Sequence, residues 1–251
     1  MKISIITTVY NRVNSIEKAL ESVHAQSYKN IEHIIIDGAS KDGTVEVIDN
    51  FKKSNKNIIF LSEKDNGIYD AINKGISIAT GDVIGVMHSD DTYFNNNVLQ
   101  EVSDSFKENN IDAVYADAVF FDKNYPNIIT RRYSSRRFSR NMIRWGWMPA
   151  HTSLYLTKET FLKFGSYKVD YKIAADFEFI ARIFTSENFK SIYVPSPWIK
   201  MQSGGASTNG IKSNIVINKE VIRACKENNI YTNWLMVLSK YFFKITEFFI
   251  K

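Results

Sequence analysis

The 251-residue sequence has a single cysteine, Cys225, and no long hydrophobic run. One thiol excludes an internal disulfide framework and a cysteine-rich zinc site. A membrane-spanning helix would require about 18 consecutive uncharged apolar residues, which the chain does not have. The opening residues, Met1 to Thr7, turn polar too early for a signal peptide. These absences favour a cytoplasmic protein.

The two common glycine-rich phosphate-binding motifs are also missing. A dinucleotide-binding turn places several glycines directly after the first strand, where this chain has Tyr10, Asn11 and Arg12. No P-loop sequence occurs either. If the chain binds a phosphorylated ligand, a metal ion must therefore replace the glycine cradle.

The composition is that of a globular protein, with 44% hydrophobic and 14% aromatic residues. Its length allows one large domain or two small ones. The net charge of +5 makes anionic partners plausible without specifying them. We find no internal repeat and no low-complexity segment.

Strand-like and helix-like segments alternate through the first ninety or so residues. Short apolar runs typical of buried strands occur at 3–9, 31–36, 58–61 and 81–91, and amphipathic helical patterns separate them. This alternation predicts a parallel, doubly wound α/β sheet. A further strand is expected at 113–116, ending at Asp117, which suggests a boundary between a nucleotide-binding half (1–117) and an acceptor-side half (118–210). Residues 211–251 are expected to form a C-terminal helical extension.

Polar residues follow three of these strands. The first strand ends near Thr8 and Tyr10, the second at Asp37, and the fourth at Asp90 and Asp91. Adjacent carboxylates do not easily stay ionised together without a cation or hydrogen-bond donors. Their oxygen atoms suit Mg2+ or Mn2+, which in turn suit phosphate. The alternative for Asp90 and Asp91 is an Asx turn after the strand.

Four segments in this order resemble family 2 glycosyltransferases with the GT-A fold, a Rossmann-like, mostly parallel sheet flanked by helices. The resemblance continues weakly to about residue 207 and is greatest to members that build bacterial O-antigen and capsule repeat units. The segments are Ile6-Thr7-Thr8-Val9-Tyr10-Asn11, Ile36-Asp37-Gly38-Ala39-Ser40-Lys41-Asp42-Gly43-Thr44, Asn66-Gly67-Ile68-Tyr69-Asp70-Ala71-Ile72-Asn73-Lys74-Gly75-Ile76 and Ser89-Asp90-Asp91.

The resemblance implies roles for the residues at the strand ends. Thr8, Tyr10 and Asp37 would surround the nucleotide base, with Asp37 accepting a base N–H. Asp90 would hold the ribose, and Asp91 would bind Mn2+ or Mg2+ on the diphosphate. The segment has Ser89 at the first position of the family's Asp-X-Asp motif.

Other matching segments carry further candidates. Asp70 and Asn73 would face the donor, although Asp70 could simply cap its helix. Asp176 would be the catalytic base, with Glu178 as the alternative. His151 could contact acceptor or metal, or be a packed histidine. Gly204 and Gly205 belong to a segment, 203–207, that resembles a flexible loop covering the donor in relatives.

The implied activity is an inverting, metal-dependent transfer of a sugar from a nucleotide-sugar, with a UDP-sugar favoured. The acceptor would be a hydroxyl of a glycan or of a lipid-diphosphate-linked sugar in bacterial surface polysaccharide synthesis. Two alternatives stay open. A non-catalytic sugar-nucleotide sensor or scaffold would not need Asp176. A nucleotidyltransferase would normally want a glycine- and arginine-rich loop after the first strand.

Two features of the second half favour a peripheral position at the inner face of the cell membrane. Six arginines between 131 and 144 form a basic segment that could contact an anionic lipid or acceptor, or be a solvated loop; nucleic acid is disfavoured, since no recognition module accompanies them. Residues 233–251 predict an amphipathic helix that lies in a membrane interface or packs on the catalytic domain or in a homodimer. Its polar stripe is expected to contain Lys240, Lys244, Glu247 and Lys251.

Overall fold

The computed structural model describes residues 1–122, 125–202 and 210–246. Its first half alternates strands and helices as the sequence predicts, and the four strands are parallel in the order β3-β2-β1-β4. The elements are β1 (Ile3–Val9), α1 (Ile16–His24), β2 (Ile31–Asp37), α2 (Thr44–Ser54), β3 (Ile58–Ser62), α3 (Ile68–Ile78) and β4 (Val83–His88).

The second half is more irregular. Its elements are β5 (Thr92–Tyr93), α4 (Val98–Glu108), β6 (Ala113–Asp122), β7 (Tyr125–Tyr133), β8 (Leu154–Thr157), α5 (Lys158–Phe164), α6 (Ala175–Phe184), β9 (Ser191–Gln202), α7 (Gly210–Glu227) and α8 (Trp234–Thr246). Two short 3-10 helices, Arg140–Trp145 and His151–Ser153, lie between β7 and β8.

One sheet joins both halves. Within the described ranges its order is β3-β2-β1-β4-β8-β6-β9-β5, with β7 paired to β6. β8 is antiparallel to β4 and to β6, whereas β6 and β9 run parallel. The fold is therefore mixed α/β, with helices flanking a curled sheet, and the predicted fold class is confirmed.

The sequence of β1 explains its central position. All seven of its residues are buried, as expected for a parallel strand covered on both faces. Gly75 of α3 lies against this strand, where an added Cβ would come within 2.4 Å of Ile6 Cγ2. The absence of a side chain at Gly75 thus lets α3 pack closely on β1.

The prediction that a strand ends at Asp117 is wrong, because β6 continues to Asp122. The fully buried Asp117 carboxylate is satisfied within the sheet. It forms an ion pair with Arg132 at 2.7 Å and accepts hydrogen bonds from the Ser135 N–H (2.7 Å) and the Tyr193 hydroxyl (2.9 Å). A paired carboxylate does not have to terminate a strand, and the expected boundary at 117 falls inside β6.

The exposed face of the C-terminal helix α8 is not the one that the sequence predicts. Lys240, expected on the exposed stripe, is only 5% exposed, whereas Leu235 and Phe242 are 82% and 76% exposed. The reason is that Met236 and Val237 pack inward with Lys240, on the face that meets the protein. Glu247 and Lys251 lie outside the described residues. Over the part of the chain that the structure describes, no helix is both long and apolar enough to cross a bilayer.

Candidate active site

The ends of β1, β2 and β4 meet at one edge of the sheet. The strand register places Thr8 opposite His88 of β4, and Val9 opposite Asp37 of β2. This edge lies at the carboxyl ends of parallel strands, where open α/β sheets bind ligands.

Thr8, Tyr10 and Asp37 surround the first part of the site. Asp37 is fully buried and accepts hydrogen bonds from the Ser40 N–H (3.0 Å), the Ser40 hydroxyl and the Ser62 hydroxyl (2.7 Å). The Thr8 hydroxyl is buried with no protein partner, and Tyr10 is 61% exposed. The protein thus fixes the acid and leaves an aromatic face open to a planar ligand.

Asp65 also lies at this part of the site, although it was not among the residues predicted from the sequence. A Cβ added to Gly38 would lie 2.6 Å from Asp65 Oδ2 and 3.3 Å from the Tyr10 ring. Glycine at position 38 therefore allows Asp65 and Tyr10 to approach the β2 loop together. Ala39 in the same loop adopts φ +60°, a left-handed conformation that is uncommon for alanine and frequent at functional loops.

Asp90 and Asp91 follow β4 directly, as predicted. Asp91 is 4% exposed, and its Oδ2 has no hydrogen-bond partner. Burial, with the neighbouring Asp90 charge, raises the pKa of Asp91 well above its usual value. An unsatisfied buried carboxylate oxygen beside a second carboxylate fits a divalent cation. Among the described residues no group of three or more His, Cys, Asp or Glu could hold a metal ion by itself.

Asp176 is the second residue of α6. Its Oδ1 accepts a hydrogen bond from the Phe177 N–H at 2.8 Å and lies 3.4 Å from the Tyr69 hydroxyl. Burial raises the pKa of Asp176 to about 6, partly opposed by the Phe177 N–H and by the charge of His88. A carboxylate with such a pKa is still mostly ionised at pH 7 and is a stronger base than an ordinary aspartate.

Two histidines, His88 and His151, lie next to each other at the site. The rings of His88 and His151 are 6.0 Å apart, and His151 Nε2 is 2.8 Å from the Tyr167 hydroxyl. Burial lowers the pKa of each to about 4. The charges of Asp90 and Asp176 both act on His88, so its ring lies within range of both carboxylates. His88 was not predicted from the sequence, although its position directly before Ser89-Asp90-Asp91 was a signal for it.

Glu178, the alternative base, belongs to a buried ion-pair network. It is fully buried, and it pairs with Lys168 and with Arg182, each at 3.0 Å. The Asn228 side chain also donates to it at 3.3 Å. These contacts commit Glu178 to the protein interior, so the geometry favours Asp176.

Asp70 and Asn73 are both engaged within the protein. Asp70 Oδ2 accepts the Asn66 N–H at 2.9 Å, which closes the start of α3. The Asn73 amide donates to the Tyr167 carbonyl (2.8 Å) and accepts the Tyr167 N–H (3.0 Å). A contact of either residue with a donor stays a prediction. Gly204 and Gly205 lie outside the described residues, so their expected role as a lid does too.

A cavity of about 410 Å³ lies between the start of α3 and the loop before α6. Tyr69, whose hydroxyl is near Asp176, is part of its wall. The lining residues are Asn66, Gly67, Ile68, Tyr69, Asp70, Val169, Asp170, Tyr171 and Lys172.

The arginines of the basic segment divide into two groups. Arg132 pairs with the buried Asp117, and Arg140 donates to the Thr185 carbonyl. Arg131 lies 4.0 Å from the Phe120 ring centroid, and Arg144 lies 5.5 Å from the Tyr231 ring centroid. Arg136 and Arg137 are exposed. The segment therefore combines structural contacts with a smaller cationic surface.

Comparison with known proteins identifies the class. The family model for glycosyl transferase family 2 matches residues 4–166, about two thirds of the chain. The chain therefore belongs to glycosyl transferase family 2, and the prediction of a glycosyltransferase is confirmed. A relative named PGL/p-HBAD biosynthesis glycosyltransferase, from Mycobacterium bovis (strain BCG / Pasteur 1173P2), is 26% identical over 224 residues, covering 88% of this chain and 82% of the relative.

Two solved structures share the fold. S. aureus TarS 1-349 in complex with UDP-GlcNAc aligns with TM-score 0.69 and 16% identity, over 88% of this chain and 67% of that one. The mannosyltransferase PcManGT from Pyrobaculum calidifontis, in complex with GDP-Man and Mn2+, aligns with TM-score 0.66 and 17% identity, over 90% of this chain and 63% of that one. The chain spans 40% of the longer TarS chain.

Proposed function

We propose that this protein transfers a sugar, with inversion, from a UDP-sugar to a hydroxyl of a glycan or of a lipid-diphosphate-linked sugar. The observation that carries the proposal is that one site contains two carboxylates in different environments. Asp91 has a buried oxygen without a protein partner, and Asp176 has a pKa raised to about 6. One suits a cation on a diphosphate, and the other suits proton abstraction.

Residues from three strand ends bind the nucleotide. Tyr10 stacks on the base, and Thr8 and Asp37 supply polar atoms at its edge. Asp90 holds the ribose, and Asp91 would hold a divalent cation through its unpartnered Oδ2. Such a cation, when bound, neutralises negative charge on the leaving diphosphate. The GDP-Man and Mn2+ bound to PcManGT and the UDP-GlcNAc bound to TarS support a metal-assisted nucleotide-sugar site.

Asp176 activates the acceptor. It removes the proton from the acceptor hydroxyl as that oxygen forms its bond to the anomeric carbon. The bond from this carbon to the diphosphate oxygen breaks at the same time, and UDP leaves with the electron pair. Because a single displacement takes place from the opposite face, the anomeric configuration inverts. Buried aromatic neighbours such as Tyr69 and Tyr167 exclude water from the base.

The acceptor is bound in the cavity between α3 and the loop before α6, whose wall includes Tyr69. Ile68 and Val169, which are 44% and 56% exposed, give this cavity apolar edges. A sugar ring presents both C–H faces and hydroxyls, which matches apolar edges beside polar groups such as Asp70 and Lys172.

The C-terminal region supports a position of the enzyme on the cytoplasmic surface of a membrane, beside lipid-linked acceptors of surface polysaccharide synthesis. The exposed face of α8 carries large apolar side chains, and the basic segment adds Arg136 and Arg137. Apolar insertion combined with cationic contacts is typical of interfacial helices. The exposed apolar residues of this region are Tyr231, Trp234, Leu235, Leu238 and Phe242.

The deciding experiment is a screen of UDP-sugars with Mn2+ and candidate acceptors, reading released UDP and the glycosylated product. The proposal expects UDP release that requires the metal, including slow donor hydrolysis without acceptor. Binding of UDP-sugar without any release would favour the sensor or scaffold. Formation of pyrophosphate from a nucleoside triphosphate and a sugar phosphate would favour a nucleotidyltransferase.

A further inference from the structure

The segment that leads into the base-carrying helix α6 is held by a residue from α7. The Glu220 carboxylate accepts three consecutive backbone N–H groups, those of Lys172 (2.7 Å), Ile173 (2.9 Å) and Ala174 (2.9 Å). Ala174 is the N-cap of α6, and Asp176 follows two residues later. An anion at this end of a helix also interacts favourably with the helix dipole.

The same segment is fixed from its other side by α3. The Tyr69 hydroxyl donates to the Ile173 carbonyl and lies 3.4 Å from Asp176 Oδ1. Ile173 is thus held at its N–H by Glu220 and at its C=O by Tyr69. Together they leave the peptide units before Asp176 little freedom to rotate.

Further contacts from α7 act on an earlier part of the loop. Glu227 accepts hydrogen bonds from the Tyr171 hydroxyl and from Lys168, both at 2.8 Å, and Arg223 pairs with Asp170. These contacts attach side chains of the loop to α7. Glu220 differs from them because it binds the backbone immediately before α6.

We propose that Glu220 is a positioning residue for the catalytic base. It fixes the first turn of α6 so that the Asp176 carboxylate stays in its water-excluded position and faces the acceptor. The inference rests on the proposed role of Asp176. It also assigns a function to α7, which begins at Gly210, beyond the 4–166 region that the family model matches. Because displacement of a reacting group by about 1 Å can cost about 100-fold in rate, a contact made only to backbone can control turnover.

The test compares Glu220→Ala and Glu220→Gln with Glu227→Gln, a matched carboxylate change on the same helix. We expect Glu220→Ala to lower kcat by about 10- to 100-fold with the KM for the donor unchanged. Glu220→Gln should have an intermediate effect, because its amide oxygen still accepts N–H groups. Glu227→Gln should stay within about threefold of the wild type, since the backbone before α6 keeps its partner.

The pH profile separates positioning from simple stabilisation. When the start of α6 loosens, Asp176 becomes better solvated, and the acid limb of kcat/KM should move below the wild-type value near pH 6. If both Glu220 variants lose activity only in proportion to their unfolded fraction, with an unmoved acid limb, the proposal is overturned. Glu220→Gln, which retains an acceptor oxygen, carries this test if Glu220→Ala does not fold.

Asp176→Asn measured in parallel tells the two proposals apart. If Asp176→Asn is inactive and the Glu220 variants are normal, only the positioning role fails. If Asp176→Asn turns over at the wild-type rate, the base assignment fails first, and the positioning role fails with it.

Discussion

The two acids of the site are embedded in opposite ways. Asp91 is buried without a partner for Oδ2, beside a second carboxylate that repels it. Asp176 accepts the Phe177 N–H and is surrounded by aromatic side chains on a segment fixed from two sides. A ligand has to complete the environment of Asp91, whereas the protein alone completes that of Asp176. This difference is what supports the proposal that Asp91 acts in binding and Asp176 in the chemical step.

The largest effect is expected at Asp91. Asp91→Asn should abolish detectable transfer, since a neutral amide is a poor ligand for a divalent cation. The ligand-free variant should nevertheless melt at the same temperature as the wild type or higher, because the substitution removes a buried charge whose pKa the fold raises. Thermal melting without and with Mn2+ and UDP measures both effects.

A marked loss of stability in ligand-free Asp91→Asn would mean that the carboxylate supports the fold. The contrast between the two acids would then disappear. Asp90→Asn provides the neighbouring control, since it removes the repulsion on Asp91 without removing the proposed metal ligand.

Asp176→Asn should lower kcat by about 100-fold or more, as is typical for removal of a general base. The donor KM should change little, because Asp176 does not touch the nucleotide in the proposed complex. Steady-state kinetics with saturating Mn2+ measure both constants.

Glu178→Gln is the matched control for that change, two residues further along α6. It should destabilise the fold by about 1.5–3 kcal/mol, because a buried charge-assisted hydrogen-bond network is weakened. The folded fraction should keep its turnover. If Glu178→Gln is fully folded but inactive while Asp176→Asn is active, Glu178 and not Asp176 is the catalytic base.

A smaller effect is expected from acidification. The folded-state pKa of Asp176 is raised to about 6, so the base becomes protonated as the pH falls through that value. We expect kcat/KM for the acceptor, at saturating donor and Mn2+, to fall about tenfold per pH unit below pH 6. The wild-type acid limb should be absent from the residual activity of Asp176→Asn; an identical limb in both proteins would assign it to another group.

Substitutions on the exposed face of α8 should have the smallest effect on turnover, because these side chains are exposed to solvent. Leu235→Ser with Phe242→Ser should weaken binding to vesicles of anionic lipid by roughly tenfold, as expected for loss of about 1.5 kcal/mol of apolar insertion. The remaining binding should weaken further as salt rises. UDP release should be unchanged. Loss of a dimer in solution, with vesicle binding intact, would assign the exposed face to a second subunit.

The residues at the ends of the first, second and fourth strands could be predicted from the sequence. The apolar runs ending at Asp37 and at Asp90 predict both the sheet and the edge where these residues meet, because parallel strands expose their carboxyl ends together. The register confirms that Thr8, His88 and Asp37 lie on adjacent strands. The local pattern of apolar residues is sufficient to predict these strands and their ends, without knowledge of contacts between distant residues.

The remainder depends on contacts between residues far apart in the chain. Asp117 does not end β6 because Arg132 and Tyr193 neutralise and bind it, and Lys240 is buried because α8 packs through Met236 and Val237. Glu220 reaches the backbone of Ile173 across 47 residues. No spacing rule predicts such partners, since side-chain charge alone does not reveal what a folded chain will bring beside it.

The most direct test of this division of roles is a calorimetric titration of UDP, in the presence of Mn2+, into Asp91→Asn and Asp176→Asn. We expect Asp176→Asn to bind UDP with wild-type affinity and Asp91→Asn to lose the Mn2+-dependent part of the binding. Unchanged Mn2+-dependent binding to Asp91→Asn, or its loss in Asp176→Asn, would contradict the division of the site into a binding acid and a catalytic acid.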